Sequence, residues 1–141
     1  MEKQKRDRIL GVVIHDGNIL LIKRITTDET FYGFPGGGME SGETPEETVI
    51  REVKEETNID AKNPTKLFEI EHPELGTSYF FLVTDIDIHD LKLTGPELRD
   101  ASETNQYIPC WVPLSDFEQI TVYPKVAIPQ ACAALKERGL L

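Results

Sequence analysis

Gly37–Ile59, GGMESGETPEETVIREVKEETNI, runs from a glycine-rich loop into a helix loaded with carboxylates. Thr44 is a good N-cap, Pro45 suits the first helical position, where an amide hydrogen has no intrahelical partner, and Glu47 follows at the spacing of a capping box. A helix is expected to start there. At about 100° per residue, Glu52, Glu55 and Glu56 share one arc, while Val49, Ile50 and Val53 occupy the neighbouring one. One face is expected to pack and the next to present acids.

Glutamates favour helices and solvated faces, which is the ordinary explanation of such a pattern. The spacing argues for more. Like charges four residues apart destabilise a helix by about 0.2–0.5 kcal/mol per pair, so Glu52 with Glu56 is locally unfavourable. Glu47, Arg51 and Glu55 form a favourable ladder at the same spacing, yet an excess of negative charge remains. A divalent cation would offset the repulsion, and clustered carboxylates are hard oxygen ligands suited to Mg²⁺ or Mn²⁺. Mg²⁺ usually shares its coordination with substrate phosphates, so the pattern points to phosphate chemistry. Arg51 is read as an arginine that fixes a glutamate by ion pairing, with Glu43 or Glu55 as partner.

Gly37, Glu43, Arg51, Glu52, Val53, Glu55, Glu56 and Ile59 stand at the places of the signature of the Nudix (MutT-like) hydrolases, which this stretch resembles. The signature's second glycine is Asn58 here, and asparagine is the next best residue for a left-handed helix end. The resemblance implies an α/β/α sandwich with a mixed central sheet and metal-dependent hydrolysis of a phosphoanhydride. The substrate would be a nucleoside diphosphate linked to another moiety: a nucleoside triphosphate, a nucleotide sugar or a dinucleoside polyphosphate. It implies metal ligation by the carbonyl of Gly37 and by Glu52, Glu55 and Glu56, with Arg51, Glu55 and Glu56 in the catalytic set. Relatives often carry a further carboxylate in a loop before a Trp-Val-Pro-Leu-like strand, which makes Glu103 the candidate fourth acid, as metal ligand or general base, with Glu97 and Asp100 competing. Many relatives are homodimers, and that state is admitted here.

From a different class, the alternative is a catalytically silent Nudix-like domain that senses a nucleotide and regulates a partner. The intact set of Glu52, Glu55 and Glu56 weighs against it. A Ca²⁺-binding module lacks its D-x-D-x-D-G loop.

Outside this stretch, the composition is that of a compact enzyme. A chain of 141 residues with 39% hydrophobic and 28% charged residues reads as one globular domain over residues 1–141. The net charge of −10 argues against binding a nucleic-acid polymer, which requires a basic stripe. Cys110 and Cys132 lack metal spacing and read as reduced packing residues. No apolar span suits a leader or a membrane helix, so a cytoplasmic location is expected.

Arg8–His15 and Asn18–Arg24 are apolar and flank Asp16-Gly17, which predicts a hairpin. Lys23 and Arg24 end the second strand as ordinary surface charge or, as in some members of the resembled family, a phosphate contact. Phe31–Phe34 is a short aromatic strand stopped by Pro35. Ala61–Pro64 reads as a turn, Thr65–Glu71 and Thr77–Ile86 as strands, and Tyr107–Val112 as another. Trp111 reads as core, and His15, His72 and His89 share no ligand spacing. Ser115–Phe117 looks like a short helix start. A C-terminal helix is expected to open at Pro124 or Pro129, with Pro129 able to split it, and to end at Gly139.

Overall fold

The computed structural model describes residues 6–95 and 101–141, so Glu97 and Asp100 lie outside the described residues. Strands β1 (Arg8–His15) and β2 (Asn18–Thr26) form the expected hairpin, with Asp16 at φ 48° and Gly17 at φ 73°. Positive φ at both central residues is the geometry that matches the twist of the flanking strands. The pair touches only beside the turn, at Ile14–Ile19 and His15–Asn18, and then opens. Strand β3 (Thr30–Gly33) takes the free edge of β2, and β4 (Gly36–Gly37) takes the free edge of β1 at Ile9 and Leu10. The backbone amide of Gly11 donates to the Pro35 carbonyl at 2.7 Å, wedging the glycine loop between the parted strands.

Helix α1 (Pro45–Thr57) begins at Thr44 with the capping box formed in both directions by Glu47. Asn58 closes it at φ 69° in the left-handed conformation. Val49 and Val53 are fully buried, but Ile50, expected on the packing arc, is 37% exposed. Thr48, Glu52, Glu56 and Thr57 are buried instead. The packed arc is rotated toward the acids, so Glu52 and Glu56 belong to the buried side of the helix.

Two short strands follow in a small sheet of their own, β5 (Asp60–Lys62) with β8 (Asp85–Asp87), separated in sequence by β6 (Thr65–His72) and β7 (Gly76–Val83). The expected turn at Ala61–Pro64 is thus partly strand, and the expected Thr77–Ile86 strand is broken at Thr84. The ladder of β7 with β1 ends at Val13–Val83, so residues beyond it have no neighbour in the main sheet. Lys62 pairs with Asp87 at 2.8 Å and ties the small sheet together.

Strand β9 (Asn105–Pro113) runs antiparallel along the whole of β2, a 3-10 turn covers Leu114–Asp116, and β10 (Val122–Tyr123) joins β3 in parallel. The parallel β1–β7 and β3–β10 pairs make the eight-stranded sheet mixed. Helix α2 (Ala127–Glu137) follows. Pro129 lies in its first turn, where the missing amide hydrogen has no partner to lose, so it neither opens nor splits the helix. Gly139 at φ 71° ends it as expected.

Side chains alternate across the sheet. Leu10, Val12, Ile19, Leu21 and Phe80 face α2, with Ala131 and Leu135, while Ile9, Val13, Leu20 and Phe81 face α1, with Val49 and Val53. The adjacent aromatics Phe80 and Phe81 thus serve opposite cores, and the α/β/α sandwich expected from the resemblance is present. Trp111, expected in the core, is partly buried and packs against the α1-side cluster. Among the described residues no helix is long and apolar enough to cross a membrane.

Candidate active site

Arg51 organises the acid face. Its Nε donates to Glu43 Oε2 at 2.8 Å and its Nη2 to Glu43 Oε1 at 3.0 Å, a bidentate contact. Nη1 donates to Glu52 Oε1 at 2.9 Å and Glu55 Oε2 at 3.3 Å, and Nη2 also reaches the Gly38 carbonyl at 3.1 Å. Glu40 stands farther off at 3.6 Å and is largely exposed. The sequence left Glu43 and Glu55 as alternative partners. One guanidinium engages both, with Glu52 and the glycine loop added.

The charge distribution follows. Hydrogen bonding from Arg51, helped by the Glu40 amide and the Thr48 hydroxyl and opposed by burial, holds the Glu43 carboxyl down at about 2. Glu43 and then Glu52 raise Arg51 above the usual guanidinium range. A depressed carboxyl stabilises the fold fully above its unfolded value, here 4.5, and that contribution is lost as pH falls toward 2. Thermal melts are therefore expected to fall more steeply with acid between about pH 4.5 and 2 in wild type than in Glu43→Gln. Parallel melting curves across that window would remove the linkage.

Glu52 and Glu56 are each 7% exposed, and Glu55 lies nearer solvent. The Gly36 amide donates to Glu56 Oε1 at 3.3 Å. A Cβ at Gly37 would come within 2.6 Å of Glu52 Oε1, so glycine there lets the loop lie directly on the carboxylate. Gly37, Arg51, Glu52, Glu55 and Glu56 are thus brought together. Among the described residues no three acidic, histidine or cysteine side chains converge into a ready-made metal cage; the Arg51 guanidinium lies between Glu52 and Glu55.

Glu103 is elsewhere. It is exposed on the Ser102–Asn105 turn, its carbonyl accepts from Gln106 Nε2 at 3.1 Å, and it lines neither cavity described below. The histidines do not cluster: His89 meets Asp60, His15 meets Asp16, and His72 caps the Glu74 and Leu75 amides.

Two cavities abut at the loop. One, about 640 Å³, is lined by Gly36–Gly38, Glu40, Arg51, Glu52 and Glu55. The other, about 450 Å³, is lined by Glu56, Arg24, Phe31, Tyr107, Tyr123 and Val126 among others. Arg6, Arg8, Gly36 and Leu75 belong to both. Arg24 lies 3.7 Å above the Tyr107 ring, donates to the Gln106 carbonyl at 3.2 Å and also bonds Asn105 Oδ1. Of the aromatic end, sequence reading flagged only Arg24 and the Phe31–Phe34 strand. Its other walls come from β9, β10 and the start of α2, which no spacing in the chain links to the acid helix.

Comparison with known proteins agrees with this geometry. A family model described as the NUDIX domain matches residues 5–130. An 8-oxo-dGTP diphosphatase of Proteus vulgaris is 36% identical over 91 residues, covering 60% of this chain and 81% of that protein. An ADP-ribose pyrophosphatase of Methanocaldococcus jannaschii is 48% identical over 50 residues, covering 35% of this chain and 30% of that protein. Among solved structures, a MutT NUDIX hydrolase from Burkholderia pseudomallei aligns with a TM-score of 0.69 at 25% identity, over 91% of this chain and 98% of that one. A mixed sheet between two helices, with an arginine-braced acid helix under a glycine loop, defines an enzyme of the pyrophosphohydrolase class. The chain belongs to the Nudix family.

Proposed function

We propose that the protein cleaves a phosphoanhydride in a nucleoside diphosphate derivative with the help of Mg²⁺ or Mn²⁺. The observation that carries this is the pair of like-charged carboxylates, Glu52 and Glu56, buried four residues apart against a glycine loop and facing the joined cavities. Burying two like charges four residues apart on one helix face is unfavourable, and a divalent cation held between them would offset that repulsion. Hard oxygen donors of this kind fit a divalent ion of the magnesium type.

Glu52, Glu55, Glu56 and the Gly37 carbonyl would hold the ion. When bound, such an ion neutralises phosphate oxygens and lowers the pKa of the attacking water. Arg51 fixes Glu52 and Glu55 in rotation about their own axes by hydrogen bonds from one nitrogen, and anchors itself on Glu43. Glu43 stays ionised throughout the working range, so the anchor does not titrate. Proton acceptance is assigned to Glu55 and Glu56, which line the cleft, in preference to the exposed Glu103.

The aromatic end, with Phe31, Tyr107 and Tyr123, suits the flat face of a nucleobase, and the acid end suits the phosphates. Of the relatives reported above, the 8-oxo-dGTP diphosphatase is matched over most of its length and the ADP-ribose pyrophosphatase over less than a third. An oxidised purine nucleoside triphosphate is therefore the first substrate to try, ADP-ribose the second. We place this single Nudix unit in the cytoplasm as an enzyme of small molecules, with neither a nucleic-acid polymer nor a membrane as partner.

The test is release of phosphate and pyrophosphate from a panel of nucleoside diphosphate derivatives, with Mg²⁺ or Mn²⁺ and with chelator. Turnover with metal, abolished by chelator, is expected for at least one purine nucleotide. A panel untouched under both conditions would defeat the hydrolase reading.

A further inference from the structure

Among the described residues four arginines line the cleft, and two of them are already engaged. Arg51 is saturated by Glu43, Glu52, Glu55 and the Gly38 carbonyl, and Arg24 is held by Tyr107, Asn105 and Gln106. Arg6 and Arg8 are different. Both line both cavities, and among the described residues neither has an ion-pair partner, although Glu40, Glu52 and Glu55 line the same acid end.

Arg6 is also seated with unusual care for an exposed residue. Its amide donates to the Leu75 carbonyl at 3.0 Å, and the neighbouring Asp7 carboxylate accepts from the Thr77 amide at 2.9 Å. A Cβ at Gly76 would lie 2.6 Å from the Arg6 carbonyl oxygen, so the backbone rests directly on that glycine. At the other end of the residue, a Cβ at Gly38 would lie 2.5 Å from Nη2, 2.7 Å from Nε and 2.9 Å from Cζ. The guanidinium lies against Gly38 of the glycine loop, whose carbonyl accepts from Arg51.

We infer that Arg6 and Arg8 form an anion clamp for the phosphate chain of the substrate, and that Gly38 is glycine to seat the Arg6 guanidinium. The inference rests on the hydrolase reading above. If the base occupies the aromatic end and the scissile bond the acid end, the phosphates between them pass the junction that these arginines line. A guanidinium fork matches phosphate oxygens in pairs, and an unpaired one sacrifices no existing salt bridge to do so. The competing explanation is that both arginines merely cover apolar surface with their stems.

Arg6→Gln, Arg8→Gln, Arg6→Lys and Gly38→Ala, together with the Gly38→Ala/Arg6→Gln pair, separate these. Calorimetric titration with inorganic pyrophosphate in the presence of chelator reads the clamp without metal or turnover. Each glutamine variant is expected to bind pyrophosphate about 10-fold more weakly, and to raise KM by a similar factor while kcat changes much less. Arg6→Lys should recover part of the affinity. Gly38→Ala should fold normally, because only a flexible side chain stands in the way, yet weaken pyrophosphate binding by displacing Arg6. In the paired variant the two effects should not add, since they act on one group. Wild-type pyrophosphate affinity in Arg6→Gln and Arg8→Gln would overturn the clamp, and additive losses would overturn the role of Gly38. A wild-type protein that turns over no nucleotide would defeat the hydrolase reading, while the pyrophosphate titration would still decide the clamp.

Discussion

Arg51→Lys is expected to lower kcat by about 10²-fold while leaving the protein folded. The loss follows from geometry rather than charge. Arginine addresses Glu43, Glu52, Glu55 and the Gly38 carbonyl from three nitrogens set in one plane. A lysine ammonium is a single point with three donors and reaches one corner of that square at a time. Glu52 and Glu55 would then lose their shared fixed donor, and the Gly36–Gly38 loop would lose its tie to α1. Displacements of about 1 Å are enough for losses of this size at a reacting centre. The apolar contacts of α1 run through Val49 and Val53, which the substitution does not touch, so melting should show a moderate decrease. The discriminating readout is the split between kcat and KM: a positioning role lowers kcat with little change in KM, because Arg6 and Arg8 still meet the phosphates. Full kcat in Arg51→Lys would show that the network is structural decoration.

What could be read from the sequence was local. Thr44, Glu47 and Asn58 fix the ends of α1 by chemistry within a few residues, and all three do so in the structure. Asp16-Gly17 fixes the hairpin for the same reason. The grouping of Arg51 with the acids was legible because helical spacing converts directly into proximity. Ile50 shows the limit of that conversion: periodicity gives the angle between faces, but the sheet decides which angle points inward, and it chose the side of Glu52 and Glu56. The β5–β8 pair was illegible because three-residue strands carry no period, and their meeting depends on where β7 runs out of partners. Arg6 lay in a charged lead-in that reads as solvated; only its contact with Gly38 and Gly76, both remote in sequence, distinguishes it. The aromatic cavity was missed for the same reason, since strands separated by much of the chain build its walls.

The parting of β1 from β2 connects these levels. A hairpin that stayed paired along its length would leave no room for Gly36–Gly38 beside Ile9 and Leu10, and the glycine loop could not meet α1. The site is therefore placed by a deviation from the simplest hairpin, and the carbonyl of Pro35 satisfies the strand amide that the deviation exposes.

Glu56→Gln should show opposite effects on activity and stability. Turnover is expected to fall by about 10²–10⁴-fold, because an amide neither accepts a proton nor ligates a hard cation as a carboxylate does. Thermal stability, measured without metal, is expected to hold or rise slightly. Neutralising Glu56 removes a like-charge pair with Glu52, which is unfavourable by about 0.2–0.5 kcal/mol on a helix surface and by more where both groups are buried. The contact with the Gly36 amide survives, since the glutamine oxygen accepts in the same place. Glu103→Gln is the comparison: exposed and away from both cavities, it should keep turnover within about tenfold. A Glu56 variant that loses stability along with activity would mark this acid as an anchor for the glycine loop. One that keeps full turnover would take it out of the chemistry. If the wild type cleaves nothing yet a nucleotide still raises its melting temperature, the acids serve binding alone, and a sensing role replaces catalysis. Two carboxylates buried on one helix face at the edge of a cleft are what a catalytic site predicts.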